Sequence, residues 1–170
     1  MTFEPHPIEY FAPEKAPARI LGLRDKLEAL AEIGIDHVLV IHFNQAFANL
    51  SPEAFVKDIL VDGLQVKSIL IGDDFCYGAK RAGNFASLKA AGEKYGFEVS
   101  SIHTISEDGE RISSSALRAA LANGDMNQAE KLLGRPYGIS GHVIHGRQLG
   151  RQLGFPTLNL AVANHLHHRK

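Results

Sequence analysis

A single cysteine, Cys76, stands among the 170 residues. One thiol excludes an internal disulfide framework and fits a reducing compartment. Neither sign of charge is in excess: 18 Lys and Arg face 19 Asp and Glu, for a formal net charge of −1. That balance argues against a large basic nucleic-acid face, though not against a small local anion site. No apolar run approaches membrane-spanning length, and Met1 is not followed by the apolar core of a signal peptide. The expectation is therefore a cytoplasmic protein with neither membrane nor nucleic acid as partner. Solenoid-length repeats and low-complexity tracts are missing as well. What is present is an ordinary globular share of hydrophobic residues, 45%. The length suits one domain, or one domain plus a piece of another.

Strand-like and helix-like segments alternate. Residues 20–33, ILGLRDKLEALAEI, set Ile20, Leu23, Leu27, Leu30 and Ala31 at helical spacing, and Gly34 stops the run. HVLVIHF (37–43) is a short β-rich run. Ser51-Pro52-Glu53 combines a cap, a proline at the first helical position and an acid at the positive end, and predicts a helix to about Asp62. VKSILIG (66–72) predicts a strand ending at glycine, 82–95 an amphipathic helix closed by Gly96, and FEVSSIHTI (97–105) the next strand. A helix over 113–123 ends at Gly124, and Asp125 with Gln128 caps another to about Leu133. This alternation predicts an α/β fold, a parallel sheet with helices on both faces and right-handed crossovers. After Gly134 the style changes. RPYGISGHVIHGRQLGRQLGFPTLNL is rich in glycine and short β runs and has no helical period, which predicts a separate all-β module from about Arg135. The terminal HLHHRK reads as a frayed basic tail, because three histidines without acids or cysteines do not make a defined metal site.

One stretch asks for an explanation. ISSSALRAAL (112–121) puts three serines at a helix start, where one cap is enough. Helix N-termini offer free N–H groups and a positive dipole end, and serine hydroxyls add donors. Arg118 lies four residues after Ser114 and so shares its face of the helix, where a forked guanidinium can grip phosphate oxygens. A redundantly capped surface helix with a solvated arginine fits the spacing equally well. In doubly wound sheets ligands bind beyond the carboxyl ends of the strands. MTFEPHP, GDDFCYGAKRAGN and GERISSSALR are the segments expected to meet there.

ISSSALR resembles the ISSTxxR-like second motif of the HxGH nucleotidyltransferase superfamily. With TFEPHP, GDDFCYGAKRAGN and GDMNQAEKLLGRPYGISGHVIHGRQLGRQLGFPTLNL in this order, the chain from Met1 to about Leu160 closely resembles the bacterial bifunctional riboflavin kinase/FMN adenylyltransferases, or FAD synthetases. The resemblance implies a Rossmann-like nucleotidyltransferase sheet over 1–134 and the start of an all-β riboflavin kinase barrel over 135–170. It implies that AMP passes from ATP to FMN, giving FAD and pyrophosphate, and that the second module phosphorylates riboflavin. ATP, FMN and riboflavin are then partners, with Mg²⁺ accompanying ATP. Phe3, Pro5, His6 and Pro7 would flank the flavin or its phosphate, and Asp74 and Phe75 would line the shared nucleotide–flavin pocket. Without the resemblance, His6 is a turn histidine between two prolines, and Asp73 and Asp74 are a solvated turn pair. Asp73 keeps that reading either way. Tyr77 stands where phenylalanine is commoner, and Gly83-Asn84 matches a GN pair whose asparagine reads as a helix cap. Ser113, Ser114, Ser115 and Arg118 match the ATP-phosphate motif, with Ser115 in place of threonine. Gly150-Arg151 and Phe155-Pro156-Thr157-Leu158-Asn159 match the kinase motif ending PTxN. Thr157 and Asn159 would there meet ATP phosphates and Mg²⁺, though composition alone reads them as plain strand residues. Cys76 reads as a packing residue or bystander.

The departures define the expectation further. The family's opening GxFDGxHxGH, whose histidines stabilise the transferring α-phosphate, does not occur in the sequence, so no catalytic residue is assigned beyond a supporting Arg118. ANHLHHRK does not continue the barrel. The resemblance thus implies an internal piece of a longer enzyme, incomplete at both ends, inactive alone and, with a central strand missing, prone to aggregate. A non-catalytic flavin- or nucleotide-binding fragment is the second reading. A third is another adenylyltransferase of the superfamily, acting on pantetheine phosphate or nicotinate mononucleotide. The LLGRPY linker and the PTLN segment speak against that one.

Overall fold

The computed structural model describes residues 1–72, 74–102, 106–107, 110–147 and 149–161. In chain order they carry β1 (Thr2–Glu4), α1 (Pro7–Phe11), a 3-10 turn (Pro13–Lys15), α2 (Leu23–Glu32), β2 (Val40–His42), α3 (Gln45–Ala48) and α4 (Pro52–Ala54) running into a π-helix (Phe55–Gly63). Then come β3 (Ser68–Gly72), a 3-10 turn (Ala79–Arg81), α5 (Phe85–Tyr95), β4 (Glu98–Ile102), β5 (Ser106–Glu107) and β6 (Glu110–Arg111). The remainder is α6 (Ser114–Asn123), α7 (Met126–Leu133), β7 (His142–Ile144), α8 (Leu149–Gln152) and β8 (Asn159–Ala161). The architecture is mixed α/β. Asp73, residues 103–105 at the end of the expected strand and the His-rich tail lie outside the described residues. The chain divides into two compact units: Met1–Glu4, Ala12–Val40 and Ile112–Lys170 form one, and Pro5–Phe11 with Ile41–Arg111 the other.

The second unit is built on a parallel pair. β3 and β4 run in register from Ser68 opposite Glu98 to Gly72 opposite Ile102. α5 makes the crossover between them, the connection that parallel strands require. Asn84 caps α5 in a capping box: its side chain accepts the Ser87 N–H at 3.0 Å, and the Ser87 hydroxyl accepts the Asn84 N–H at 2.9 Å. Gly96, at φ +80°, closes the helix in the left-handed region where a side chain is strained. Ser51 caps α4 through the Ala54 N–H at 3.1 Å, with Pro52 at the first position as the sequence predicts. The predicted helix does run on past Asp62, but with π winding from Phe55. That winding brings Phe55 and Leu60, five apart, into one buried cluster with Val56, Ile71, Tyr77, Leu88 and Phe97. Ile71 faces this core, while Leu70 on the opposite face of β3 is 62% exposed. The sequence predicts helices on both faces of a larger sheet. Among the described residues the strands pair two by two, with β3 and β4 parallel, and on the face of that pair away from the core Leu70 is open to solvent.

In the first unit the N–H of Thr2 donates to the Leu39 carbonyl at 2.8 Å. α2 starts at Leu23, not at Ile20, because extended Gly22 is its N-cap and Ile20 packs instead against Leu117, Ala120 and Ala129 of α6 and α7. The β-rich run 37–43 yields only the three residues of β2. Asp125 caps α7 and Gly124 ends α6 as predicted; Ser113 is the serine that caps α6, and Gly134 ends α7, both glycines at positive φ. β7 pairs antiparallel with β8, His142 opposite Ala161 and Ile144 opposite Asn159. The four-residue α8 between them is not anticipated by the glycine-rich β pattern: Gly150 accepts the Phe155 N–H at 2.7 Å and closes a tight turn that no hydrophobic period announces.

Leu88 is 1% exposed. Leu88→Ala is expected to cost about 2–5 kcal/mol, and Asn84→Ala, which removes only the cap, about 0.5–2 kcal/mol. Urea unfolding of the two variants beside the unaltered chain measures both, and the order of their midpoints checks that this cluster is the core of the unit.

Candidate functional site

In the second unit the proposed flavin-side residues begin a helix. Pro7 occupies the first position of α1, and His6 caps it: the ring Nδ1 accepts the Ile8 N–H at 3.3 Å while the His6 N–H donates to Glu9 Oε2 at 2.9 Å. Pro5 is half-buried and His6 exposed. α1 carries Tyr10 and Phe11, which meet Phe43 edge-on at 5.5 and 5.7 Å. From Phe43 the rings continue through Phe47 (5.7 Å), Phe55 (6.2 Å) and Tyr77 (5.2 Å) to Phe75 (5.7 Å, stacked). His6–Pro7 and Asp74–Phe75 are thus tied to the two ends of one run of aromatic rings.

The loop after β3 is shaped by close backbone approaches. The Phe75 N–H donates to the Gly72 carbonyl at 3.1 Å, and Asp74, exposed, turns its Oδ1 back to 3.3 Å from where a Gly72 Cβ would stand. Tyr77 and Gly83 exchange two backbone hydrogen bonds, 3.1 and 2.9 Å. The Tyr77 ring lies 2.6 Å from where a Gly83 Cβ would be, so only glycine fits there. Its hydroxyl pairs with Ser87 Oγ at 3.1 Å. This explains the tyrosine: the ring is buried, and a phenol oxygen at this depth finds a partner in the capping serine. Asn84 is the helix cap that the sequence implies. Cys76 is half-buried and free.

In the first unit the three serines separate into roles. Ser113 is the N-cap, its hydroxyl accepting the Ala116 N–H at 3.2 Å. Ser114 and Ser115 occupy the exposed first turn, where N–H groups have no partner inside the helix. Arg118 is half-buried, and its Nε donates to the carbonyl of Ala18 at 2.8 Å, a contact across 100 residues that no local pattern signals. Phe3, half-buried, sits mid-strand in β1. Its neighbour Glu4 holds Arg19 through two bonds, 2.6 and 3.0 Å. A cleft of about 330 Å³ opens beside that pair, lined by Glu4, Arg19, Arg24, Ser140 and His142 among others, and it does not reach Ser113–Ser115 or Arg118. Tyr137, in the linker, donates its hydroxyl to the Ile20 carbonyl at 3.0 Å, and burial, with Asp25 nearby, raises its pKa.

The kinase-motif residues gather around β7 and β8. Gly150 lies in α8, and Thr157 Oγ1 and Cγ2 come within 3.3 Å of where its Cβ would be. The side chain of Asn159 lies across the backbone of Gly146, 2.5 Å from the corresponding position there. Arg151 is exposed. The structure thus brings Gly150 to Thr157, and Asn159 to the facing strand's end. Thr157 and Asn159 offer neutral oxygens of the kind Mg²⁺ accepts when phosphates supply the charge. Among the described residues no group of three His, Cys, Asp or Glu is placed to hold a metal ion.

Ser113→Ala is expected to lower stability by about 0.5–2 kcal/mol, as for loss of an N-cap. Ser114→Ala and Ser115→Ala, on the exposed turn, should stay within about 0.5 kcal/mol of the unaltered chain. Urea unfolding of the three variants reads the difference; equal losses at all three would show that capping is shared.

Comparison with known proteins now bears on these segments. A FAD synthetase family model matches residues 1–116, and a riboflavin kinase family model residues 133–170. The bifunctional riboflavin kinase/FMN adenylyltransferase of Escherichia coli K12 is 52% identical over 162 residues, which cover 95% of this chain and 52% of that protein. The protein of the same description from Haemophilus influenzae is 49% identical, covering 95% of this chain and 53% of its own. Among solved structures, one titled macrolide-efflux protein from Streptococcus pneumoniae superposes with a TM-score of 0.72 at 28% identity, covering 88% of this chain and 47% of that one. The chain spans about half the length of the curated relatives it matches. With more than half of its residues, 1–116, matched by the one family model, the chain belongs to the FAD synthetase family.

Proposed function

We propose that this chain carries parts of two flavin-processing sites: an FMN adenylyltransferase site that forms FAD and pyrophosphate from FMN and ATP, and part of a riboflavin kinase site that forms FMN from riboflavin and ATP. The observation that carries the reading is the succession of the two family matches in one chain, 1–116 and then 133–170. It supports a boundary near Gly134, with 1–134 a Rossmann-like nucleotidyltransferase domain and 135–170 the start of a kinase barrel. The free Cys76 fits work in a reducing cytoplasm.

Adenylyl transfer needs a phosphate oxygen of FMN in line with the α-phosphorus of ATP, with pyrophosphate leaving opposite. Positioning and charge stabilisation supply most of the rate. In this reading Ser113–Ser115 and Arg118 hold ATP phosphates. The first-turn N–H groups and the exposed hydroxyls of Ser114 and Ser115 supply donors, and the Arg118 fork supplies charge. Phe3, Pro5, His6 and Pro7, with Asp74 and Phe75, hold the flavin. Within the second unit, the packed rings that run from α1 to Phe75 support this assignment as a rigid backing for a planar ligand. Gly150, Arg151, Thr157 and Asn159 face the second nucleotide, whose Mg²⁺ arrives with its phosphates. The riboflavin kinase match over 133–170 disfavours an adenylyltransferase for pantetheine phosphate or nicotinate mononucleotide.

The histidine loop of the family, GxFDGxHxGH, is not among these 170 residues. A single preorganised donor to developing charge is commonly worth 10²–10³ in rate. The 170-residue chain is therefore expected to form no measurable FAD from FMN and ATP, and no FMN from riboflavin, over hours by chromatography, beside an extended protein that contains the loop. FAD at a comparable rate from the chain alone would show the histidine loop to be dispensable and overturn its catalytic assignment. In the extended protein, Arg118→Ala should weaken MgATP binding by about 1.5–3 kcal/mol by calorimetry, the value of a hydrogen bond to a charged group. Unchanged affinity takes Arg118 out of the site.

A further inference from the structure

We propose that Glu4 and Arg19 are positioning residues that set the orientation of Arg118, an inference that rests on Arg118 as a phosphate ligand. An arginine side chain carries much rotamer freedom, and a fork held ready loses less of it on binding. The Nε of Arg118 donates to the Ala18 carbonyl at 2.8 Å. A guanidinium is planar, so holding Nε–H narrows its orientations to rotation about that one bond and turns the paired Nη edge away from Ala18. No buried side-chain nitrogen or oxygen lacks a partner among the described residues, so that edge is not sealed in.

The orientation is only as firm as Ala18, which lies in no helix or strand. The residue after it anchors it. Arg19 Nη1 and Nη2 donate to the two carboxylate oxygens of Glu4 at 3.0 and 2.6 Å, a fork-on-fork pair. The side chains are 15% and 31% exposed, so the pair is largely shielded from water and salt. Glu4 ends β1, whose first residue is bonded to Leu39. Ile20, on the other side, accepts the Tyr137 hydroxyl at 3.0 Å. The segment 18–20 is thus held at two adjacent residues, and its carbonyl at Ala18 is left to meet Arg118. Breaking the Glu4–Arg19 fork releases that carbonyl, and Arg118 then samples orientations in which its Nη pair is misaligned.

The test is a double-mutant cycle in the extended protein that contains the histidine loop, with MgATP titrated by calorimetry and thermal unfolding followed in parallel. Arg19→Ala and Glu4→Gln should each weaken MgATP binding by roughly three- to tenfold, the scale of coupling between residues in one network. The double variant Arg19→Ala/Arg118→Ala should bind no more weakly than Arg118→Ala alone, because Arg19 acts through Arg118. A merely structural role lowers the unfolding temperature and leaves this non-additivity absent. Normal MgATP affinity in Arg19→Ala and Glu4→Gln, or losses that multiply with that of Arg118→Ala, overturns the positioning role while leaving Arg118 a ligand. No dependence of MgATP binding on Arg118 at all overturns both. Should Arg19→Ala fail to fold, Glu4→Gln, which keeps shape and one acceptor, carries the same test.

Discussion

Phe55 and Tyr77 meet with ring centroids 5.2 Å apart, and much of the second unit is arranged around that contact. Tyr77 is fixed from three sides: by Phe55, by the double backbone exchange with Gly83, and by its hydroxyl on Ser87. Ser87 in turn completes the cap of α5, so the ring, the loop before it and the start of the crossover helix are ordered together. Edge-to-face and offset rings add about 0.5–1.5 kcal/mol per pair beyond the area they bury. A run of such pairs from α1 to Phe75 makes a stiff spine in a segment otherwise composed of short elements and turns. The absence of side chain at Gly83 is part of the same constraint, because the Tyr77 ring occupies the space.

Helix starts are the second organising device. Asn44, Ser51, Asn84, Ser113 and Asp125 each accept a backbone N–H from two or three residues into the helix they begin, and His6 does so with an imidazole nitrogen. Each cap removes one unsatisfied donor. At α6 the cap answers why three serines stand in a row: one is consumed by the helix, and two remain on an exposed turn. The arginine one turn further on is not a solvated surface residue, since its Nε is committed to Ala18. This arrangement separates the hydroxyl that holds the helix from the two that remain exposed.

Caps, glycine stops and the Ser51-Pro52 start could be read from the sequence because each acts within three or four residues, and their residue types have one dominant use. The family motifs could be read for a related reason, since ISSSALR, GDDFCYG and FPTLN are contiguous. Element boundaries were read less well. α2 begins at Leu23 because Ile20 is drawn to α6 and α7, and β2 keeps only three residues of its β-rich run. The π winding after Phe55 leaves no mark in a hydrophobic pattern that fits an α-helix equally.

By itself, then, the sequence determined the local structure and the family to which the chain belongs. Hydrogen-bond donors near a helix start, or a glycine at its end, are satisfied within one turn of chain. Tertiary structure alone decided what surrounds Arg118 and what Tyr77 is for. Arg118 and Ala18 are 100 residues apart, Tyr137 and Ile20 are 117 apart, and Glu4 and Arg19 are 15 apart with no periodic relation. Such pairs depend on how the backbone returns on itself, and the short-range preferences that shape helices and turns carry no information about that return.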